Sequence, residues 1–149
     1  MNELQLPPPS QVCIVVEDLK QAAGRFEKRY GIGPFVYPVI KYSNITYRGQ
    51  PSAGYWEMAF ARWGELELEL ACPVSPPSIY QDFLNKNGEG FHHFGFDIKG
   101  LDSYLSRATA LGIPVLMSGR TATGGFAHLD TLSYGGVIVE LIERTARRV

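Results

Sequence analysis

The sequence predicts an α+β domain of two tandem βαβββ modules, forming a curved mixed sheet with a cleft, and three observations carry that expectation. A strand-like run, Val12-Cys13-Ile14-Val15-Val16, leads into Leu19, Ala22, Ala23, Phe26 and Tyr30, which share one face of a 3.6-residue helix that Gly31 stops. The same order recurs 82 residues after Gln11, where His93 to Ile98 leads into Leu101, Tyr104, Leu105, Ala108 and Leu111, stopped by Gly112. Each helix is followed by a Gly/Pro break and then by extended segments ending in an alternating strand. These closing strands are Glu65 to Leu70 in one copy and Val137 to Ile142 in the other.

The first module is expected at 11–72 and the second at 91–144, joined by a linker at 73–90. Ser78-Ile79-Tyr80-Gln81 has capping-box spacing, so a short helix should open there and end near Gly88. Residues 1–10, with Pro7-Pro8-Pro9, read as an extended N-terminal arm and 145–149 as a basic tail, neither with a chemical role. Tyr42 to Gly54 reads as the longest irregular stretch, either a lid over a site or a plain surface connection.

Composition narrows the classes of function. The 149 residues carry 14 Lys+Arg against 15 Asp+Glu, which gives no electrostatic reason to expect nucleic acid or an anionic membrane as partner. With 45% hydrophobic and only 19% charged residues, the chain can build its own core. No apolar run approaches the roughly 18 to 20 residues of a membrane span, and Met1 to Ser10 lacks the basic-then-apolar pattern of a secretory leader. A cytoplasmic location is therefore expected. Cys13 and Cys72 fit reduced core positions rather than a disulfide framework. The histidines are His92, His93 and His128 only, so a metal or catalytic site must draw largely on carboxylates or amides.

Strand alternation nominates the candidates. If Leu66, Leu68 and Leu70 meet the helices, Glu65, Glu67 and Glu69 face the other way. The same parity puts Glu140 opposite Val139 and Leu141, His93 and Asp97 opposite Phe94 and Phe96, and Gln11 with Cys13 and Val15. Gln11, Glu69, His93 and Glu140 thus share the non-helix face, one on each of four strands. His92, of opposite parity, reads as a structural or interface residue, and His128 is assigned no face. Glu65 and Glu67 read as solvated or paired with nearby arginines. Among Tyr47, Tyr55, Trp56, Phe60 and Trp63, core packing explains most, and an apolar substrate wall one or two.

The pattern Gln11-x6-Asp18-Leu19, Glu69-Leu-Ala-Cys-Pro, Gly88-Glu-Gly-Phe-His-His93 and Gly135-Gly-Val-Ile-Val-Glu140-Leu-Ile-Glu resembles the vicinal oxygen chelate superfamily of glyoxalases, bleomycin resistance proteins and extradiol dioxygenases. The likeness spans roughly residues 11 to 144, and GEGFHHFGFDI and GGVIVELIE look most like methylmalonyl-CoA epimerase and its unassigned relatives. The resemblance implies one divalent metal ion (Zn, Co, Ni, Mn, Fe or Mg) held by Gln11, Glu69, His93 and Glu140. It implies a small-molecule carbonyl or acyl-thioester substrate, isomerised or epimerised through its enolate with Glu140 as both ligand and base, in a homodimer. Asp97, about 13 Å along the strand from His93, is too far to ligate the same ion; it reads as a substrate contact or as a partly solvated cleft residue.

The departures define the alternatives. Epimerases of this type carry His where this chain has Gln11. A Gln, Glu, His, Glu set is that of eukaryotic-type glyoxalase I, but the arginine that holds glutathione there, four residues after the first ligand, is Val15 here. The epimerases' second catalytic glutamate falls at Ser52-Ala53-Gly54, leaving Gln50, Glu57, Glu65 or Glu67 to replace it. A glyoxalase-like lyase and a non-catalytic, resistance-type binding protein are the competing readings. An extradiol-type dioxygenase, which needs two His and one carboxylate, is weakened by Gln11.

Overall fold

The computed structural model describes residues 3–149, so Met1 and Asn2 of the expected N-terminal arm lie outside the described residues. The chain runs β1 (Gln11–Val15), α1 (Leu19–Tyr30), β2 (Ser43–Tyr47), β3 (Gln50–Pro51), β4 (Tyr55–Trp63) and β5 (Leu66–Ser75). After α2 (Ile79–Asn87) come β6 (Gly90–Asp97), α3 (Leu101–Ala110), β7 (Val115–Thr121), β8 (Gly124–Leu129), α4 (Leu132–Gly135) and β9 (Ile138–Glu143). The strands form one curled sheet in the order β3-β2-β7-β8-β9-β6-β1-β5-β4. The two copies meet at the middle, where β1 and β6 pair antiparallel; each is flanked by the closing strand of its own copy, β5 or β9, in parallel. The fold is the expected α+β half-barrel.

Local chemistry sets the helix ends. Asp18 caps α1 by accepting from the Gln21 amide, and Gly31 ends it in the left-handed region at φ 66°. Ser78 caps α2 by accepting from the Gln81 amide, as the capping-box spacing predicts. The N-cap of α3 is Gly100, which has no side chain to offer; Glu143 reaches over from the end of β9 and accepts from the Gly100 and Leu101 amides at 2.7 and 3.2 Å. A carboxylate at the positive end of the helix thereby ties α3 to the closing strand.

The parity expected of β1, β5 and β9 holds. Leu68 and Leu70 pack with Leu19, Ala22 and Ala23 of α1, and Val139 and Leu141 pack with Leu101 and Ala108 of α3. On the concave face Cys13 and Val15 pack with Trp56, Phe60, Tyr80, Met117 and Phe126. Trp63 and Tyr55 are about half exposed and belong to neither layer.

Two expectations are corrected, and two features are added. First, β5 runs to Ser75, past Cys72, because pairing with β4 continues after β1 has ended; Pro73 is tolerated where the other side of the strand has no partner. Second, the stretch from Tyr42 to Gly54 is largely a hairpin. Arg48 and Gly49, at φ 49° and 81°, form the two-residue turn between β2 and β3, with the positive φ angles that match strand twist. This hairpin leaves its own module and pairs with β7 of the second. The first-copy counterpart of β7 is reduced to a single bridge, Val36 with Phe60. Third, a short helix, α4, precedes β9. Fourth, the termini take part in the structure: Ser10 is hydrogen-bonded to β5 and β6, and the Arg148 amide donates to Glu67. Among the described residues no helix is long and apolar enough to cross a membrane.

Because both helix-side cores depend on one leucine layer each, Leu68→Ala and Leu141→Ala should each cost about 2–5 kcal/mol, read from urea midpoints. Val39→Ala, on the surface, should change stability by less than about 0.5 kcal/mol. A loss confined to one leucine would show that the two copies do not fold as a unit.

Candidate active site

Strand register gathers the polar residues of the concave face into two rows. In one, Glu67, Gln11, Gly95, Glu140 and His128 lie side by side across β5, β1, β6, β9 and β8; in the next, Glu69, Cys13 and His93 do the same. Gly95 occupies the centre of the first row for a steric reason. A Cβ there would sit 2.9 Å from the Gln11 Cβ and 3.0 Å from its Oε1.

Glu69 and Glu140 approach His93 from its two sides, and Gln11 lines the same cavity as both carboxylates. His93 Nε2 lies 2.9 Å from Glu140 Oε2 and 3.9 Å from Glu69 Oε2, all three residues being buried. The Gln11 amide is turned by its own donor: Nε2 donates to Glu67 Oε1 at 2.8 Å, which leaves Oε1 buried with no partner. His93 Nε2 and Glu140 Oε2 approach each other without hydrogen-bond alignment, so neither is satisfied. Among the described residues, three buried donor atoms of the expected set thus have no protein partner, which ordinary core polar groups avoid. His93 is oriented from behind by His92, Nδ1 to Nδ1 at 2.8 Å, one ring donating to the other. With His93 Nδ1 as the donor, its Nε2 presents a bare lone pair.

A cavity of about 420 Å³ opens over this floor, lined by Gln11, Glu69 and Glu140 below and by Tyr42, Trp56, Met58, Phe60, Tyr80 and Phe126 at the sides. Lys41 and Arg148 add positive charge to its lining.

The electrostatics explain why the site is unsettled on protein groups alone. Burial pushes Glu140 up to about 8, against the opposing field of Arg144. Burial also raises Glu69 well above the usual carboxylate range, with Glu140 and Glu67 adding to the rise. It lowers His93 to about 3, and it lowers His92 to about 2 with help from His93. Every group prefers its neutral form because burial penalises the charged one, and the fields of Arg144 and Arg148 offset that only in part for the carboxyls. Arg144 is already taken: its Nη1 donates to Glu67 and its Nε to Asp97, both at 2.7 Å. The residues present fit a divalent cation, which would accept the unpartnered atoms, draw the two raised carboxyls back down and keep the imidazoles neutral.

Gln11, Glu69, His93 and Glu140 are brought together; Asp97 is not. Its carboxylate binds Arg144 and Arg147 and does not line the cavity; burial opposes its ionisation, but the Arg144 hydrogen bonds hold it below the usual carboxylate range. Glu67 is paired with an arginine, as one of its two readings had it, and the tail residue Arg148 completes its shell. No second free base comes from the expected replacements. Among the described residues, the carboxylates lining the cavity are Glu69, Glu140 and Glu143, and Glu143 caps α3.

His92 corrects the parity argument. The register slips where β6 passes β1, with Cys13 opposite His93 and Ile14 opposite Phe91, so His92 is the extra residue of a bulge and turns onto the same side as His93. His128, given no face by the sequence, stands directly across from Glu140 and is fully buried. Gly124 to Leu129 is buried on both faces from Gly125 onward, so it carries no alternation to read. Trp56 and Phe60 are the wall residues among the aromatic candidates; Tyr42 and Tyr80 were not singled out by spacing.

The sequence profile described as the Glyoxalase/Bleomycin resistance protein/Dioxygenase superfamily matches residues 10–129. The chain belongs to that superfamily. A search of curated protein sequences found no match. Among solved structures, a variant of Streptomyces coelicolor methylmalonyl-CoA epimerase in complex with 2-nitronate-propionyl-CoA is similar at a TM-score of 0.74 and 23% identity, covering 95% of this chain and 97% of that one. Methylmalonyl-CoA epimerase from Mycobacterium tuberculosis is similar at 0.72 and 18% identity, over 95% and 90% of the two chains. A hypothetical protein from Bacillus halodurans C-125 is similar at 0.66 and 22%, over 95% and 96%. At these identities the likeness establishes the fold, and the reaction has to be argued from the site.

The shifted groups predict a pH dependence. A carboxyl whose folded pKa is raised contributes stability at low pH that is lost as pH rises from about 4.5 through about 8. The histidines, lowered from 6.5, act in the opposite sense, with stability lost as pH falls through and below that value. Above pH 6.5 the carboxyls dominate. Chelator-treated protein should therefore lose on the order of 5 °C in melting temperature between pH 6.5 and 8.5, less in Glu140→Gln, and saturating Co(II) should remove the slope. Calorimetry that finds a flat or rising midpoint for the metal-free protein would contradict the assigned protonation.

Proposed function

We propose that the protein is a metal-dependent enolising enzyme, an isomerase or epimerase acting on a carbonyl or acyl-thioester compound. The observation that carries this reading is the convergence of unpartnered Gln11 Oε1, His93 Nε2 and Glu140 Oε2, with Glu69, on the floor of an apolar-walled cavity. Members of the superfamily typically bind a metal, and the donor set of amide, imidazole and two carboxylates suits several divalent ions. A cation bound there would supply polarisation of a carbonyl oxygen, making the adjacent C–H more acidic.

The remaining work falls to the chain's own residues. Glu140, as the carboxylate, takes the α-proton; the C–H electron pair moves into the carbon–carbon bond and the carbonyl pair onto oxygen, and returning the proton to carbon closes the cycle. Glu67 holds the Gln11 amide in place, and His92 holds the His93 ring. Tyr42, Trp56, Phe60 and Phe126 shield the reacting carbon from water, and Lys41 and Arg148 offer charge to an anionic substituent. The solved epimerase bound to methylmalonyl-CoA supports an acyl-CoA as first candidate. With Glu67 and Glu143 committed elsewhere, Glu140 both removes and returns the proton, and inversion of the carbon then requires the enolate to turn its other face to the same carboxyl. Glu69 is the other uncommitted carboxylate, and it favours a glyoxalase-like lyase as the second reading. Cytoplasmic location and homodimerisation belong to the same proposal, the latter by burial of the exposed edge strand β4.

The test is loss of the α-proton signal by NMR when metal-loaded protein meets acyl-CoA thioesters and 2-oxo compounds in deuterated water. Wild type should catalyse exchange, and Glu140→Gln should slow it by roughly 10²–10⁴-fold. Tight binding of these compounds without exchange would replace the enzyme with a sequestering protein. Fe(II)-dependent oxygen uptake would replace it with a dioxygenase.

A further inference from the structure

We propose that His128 is a further protein donor to the same centre, which then holds two imidazoles and favours ions that accept nitrogen, such as Zn, Co, Ni or Fe(II), over Mg or Ca. This rests on the metal-dependent reading above and specifies which metals it admits.

The placement comes from the sheet. His128 and Glu140 are directly opposed across β8 and β9, and directly opposed residues share a face. Glu140 therefore has an imidazole on either side. His93 Nε2 stands 2.9 Å from its Oε2, and His128 Nε2 stands 3.5 Å from its Oε1. The ligating atoms of His93, His128 and Glu140 all lie within 4.8 Å of one another, and the two rings are 4.7 Å apart, centre to centre, at a steep angle.

These separations are poor for hydrogen bonds and suitable for a shared ion. His128 Nε2 is 3.4 Å from the Tyr80 hydroxyl, and Nδ1 has no hydrogen-bond partner among the described residues, although the side chain is fully buried. A core histidine retained for structure would be expected to hold at least one partner near 2.9 Å. Two donors each about 2.1 Å from one ion, at tetrahedral or octahedral angles, lie about 3.0–3.4 Å apart. The His93–Glu140 and His128–Glu140 distances bracket that interval, and small side-chain rotations suffice to reach it. Two imidazoles with carboxylate match the ligand preferences of Zn, Ni and Fe, whereas Mg and Ca prefer oxygen alone. The pair His93 and His128 with Glu140 also restores, from a different strand, the two-His, one-carboxylate set that Gln11 had removed.

The experiment titrates chelator-treated wild type, His128→Phe and His128→Gln with Co(II) and with Mn(II). Co(II) affinity should fall at least about 10-fold in both variants, while Mn(II), which favours oxygen donors, should change by less than about three-fold. Pulsed electron paramagnetic resonance of the Cu(II)-loaded protein should count two imidazole nitrogens in wild type and one in His128→Gln. Folded variants that keep wild-type Co(II) affinity, or a single imidazole in wild type, would overturn the proposal while leaving the metal-dependent function standing. Wild type that binds none of these ions would overturn both. If His128→Phe does not fold, the imidazole count in wild type and His128→Gln decides.

Discussion

Two carboxylates, Glu69 and Glu140, are buried beside three imidazoles, and among the described residues no lysine or arginine is ion-paired to either; this electrostatic constraint shapes the rest of the concave face. Desolvation of an unpaired carboxylate is costly enough that it takes up a proton or finds a cation. The nearest guanidinium, Arg144, could have met the need, but Glu67 and Asp97 hold it. The positive charge is kept one layer back, where it orders the site's supports instead of neutralising its donors.

Those supports come from distant parts of the chain. Arg144 and the Arg148 amide hold Glu67, Glu67 turns the Gln11 amide, and Ser10 ties the start of β1 to both neighbouring strands. The duplicated architecture brings one donor from each of four central strands, and the β2–β3 hairpin crosses between copies to extend the sheet beyond β7. Gly95 keeps the centre of the row open for the amide oxygen. A site built this way is pre-organised before any ligand arrives, because its donors are set by sheet register and not by loop closure.

Much of this was legible in the amino-acid order, for reasons that are physical. Leu66-Glu67-Leu68-Glu69-Leu70 has period two with one face of leucine, so Glu69 could be assigned a side with little ambiguity. Ser78 announces its cap through spacing. What could not be read was anything that breaks a period or spans the chain. His92 sits in a bulge, and an extra residue is invisible to a count of alternation. His128 lies in a strand buried on both faces, where both parities look alike. The hairpin after Tyr42 pairs with a strand some 70 residues away, and its polar, exposed composition reads as loop. Arg144, Arg147 and Arg148 look like a solvated tail until the sheet brings Glu67 and Asp97 beneath them.

The fold is that of the epimerases it resembles, while three sequence positions depart from what that resemblance, or one to a glutathione enzyme, implies. Gln11 replaces a histidine, Ser52-Ala53-Gly54 offers no carboxylate, and Val15 offers no arginine. The enzymatic readings share a cation among these donors, and the resistance-type binding reading does without one. Anomalous diffraction from crystals soaked in Co(II) or Zn(II) tests that most directly. The account predicts one peak per chain, coordinated by His93 and Glu140 and within reach of Gln11 Oε1 and Glu69; anomalous density confined to surface sites, with these side chains unmoved, would contradict it.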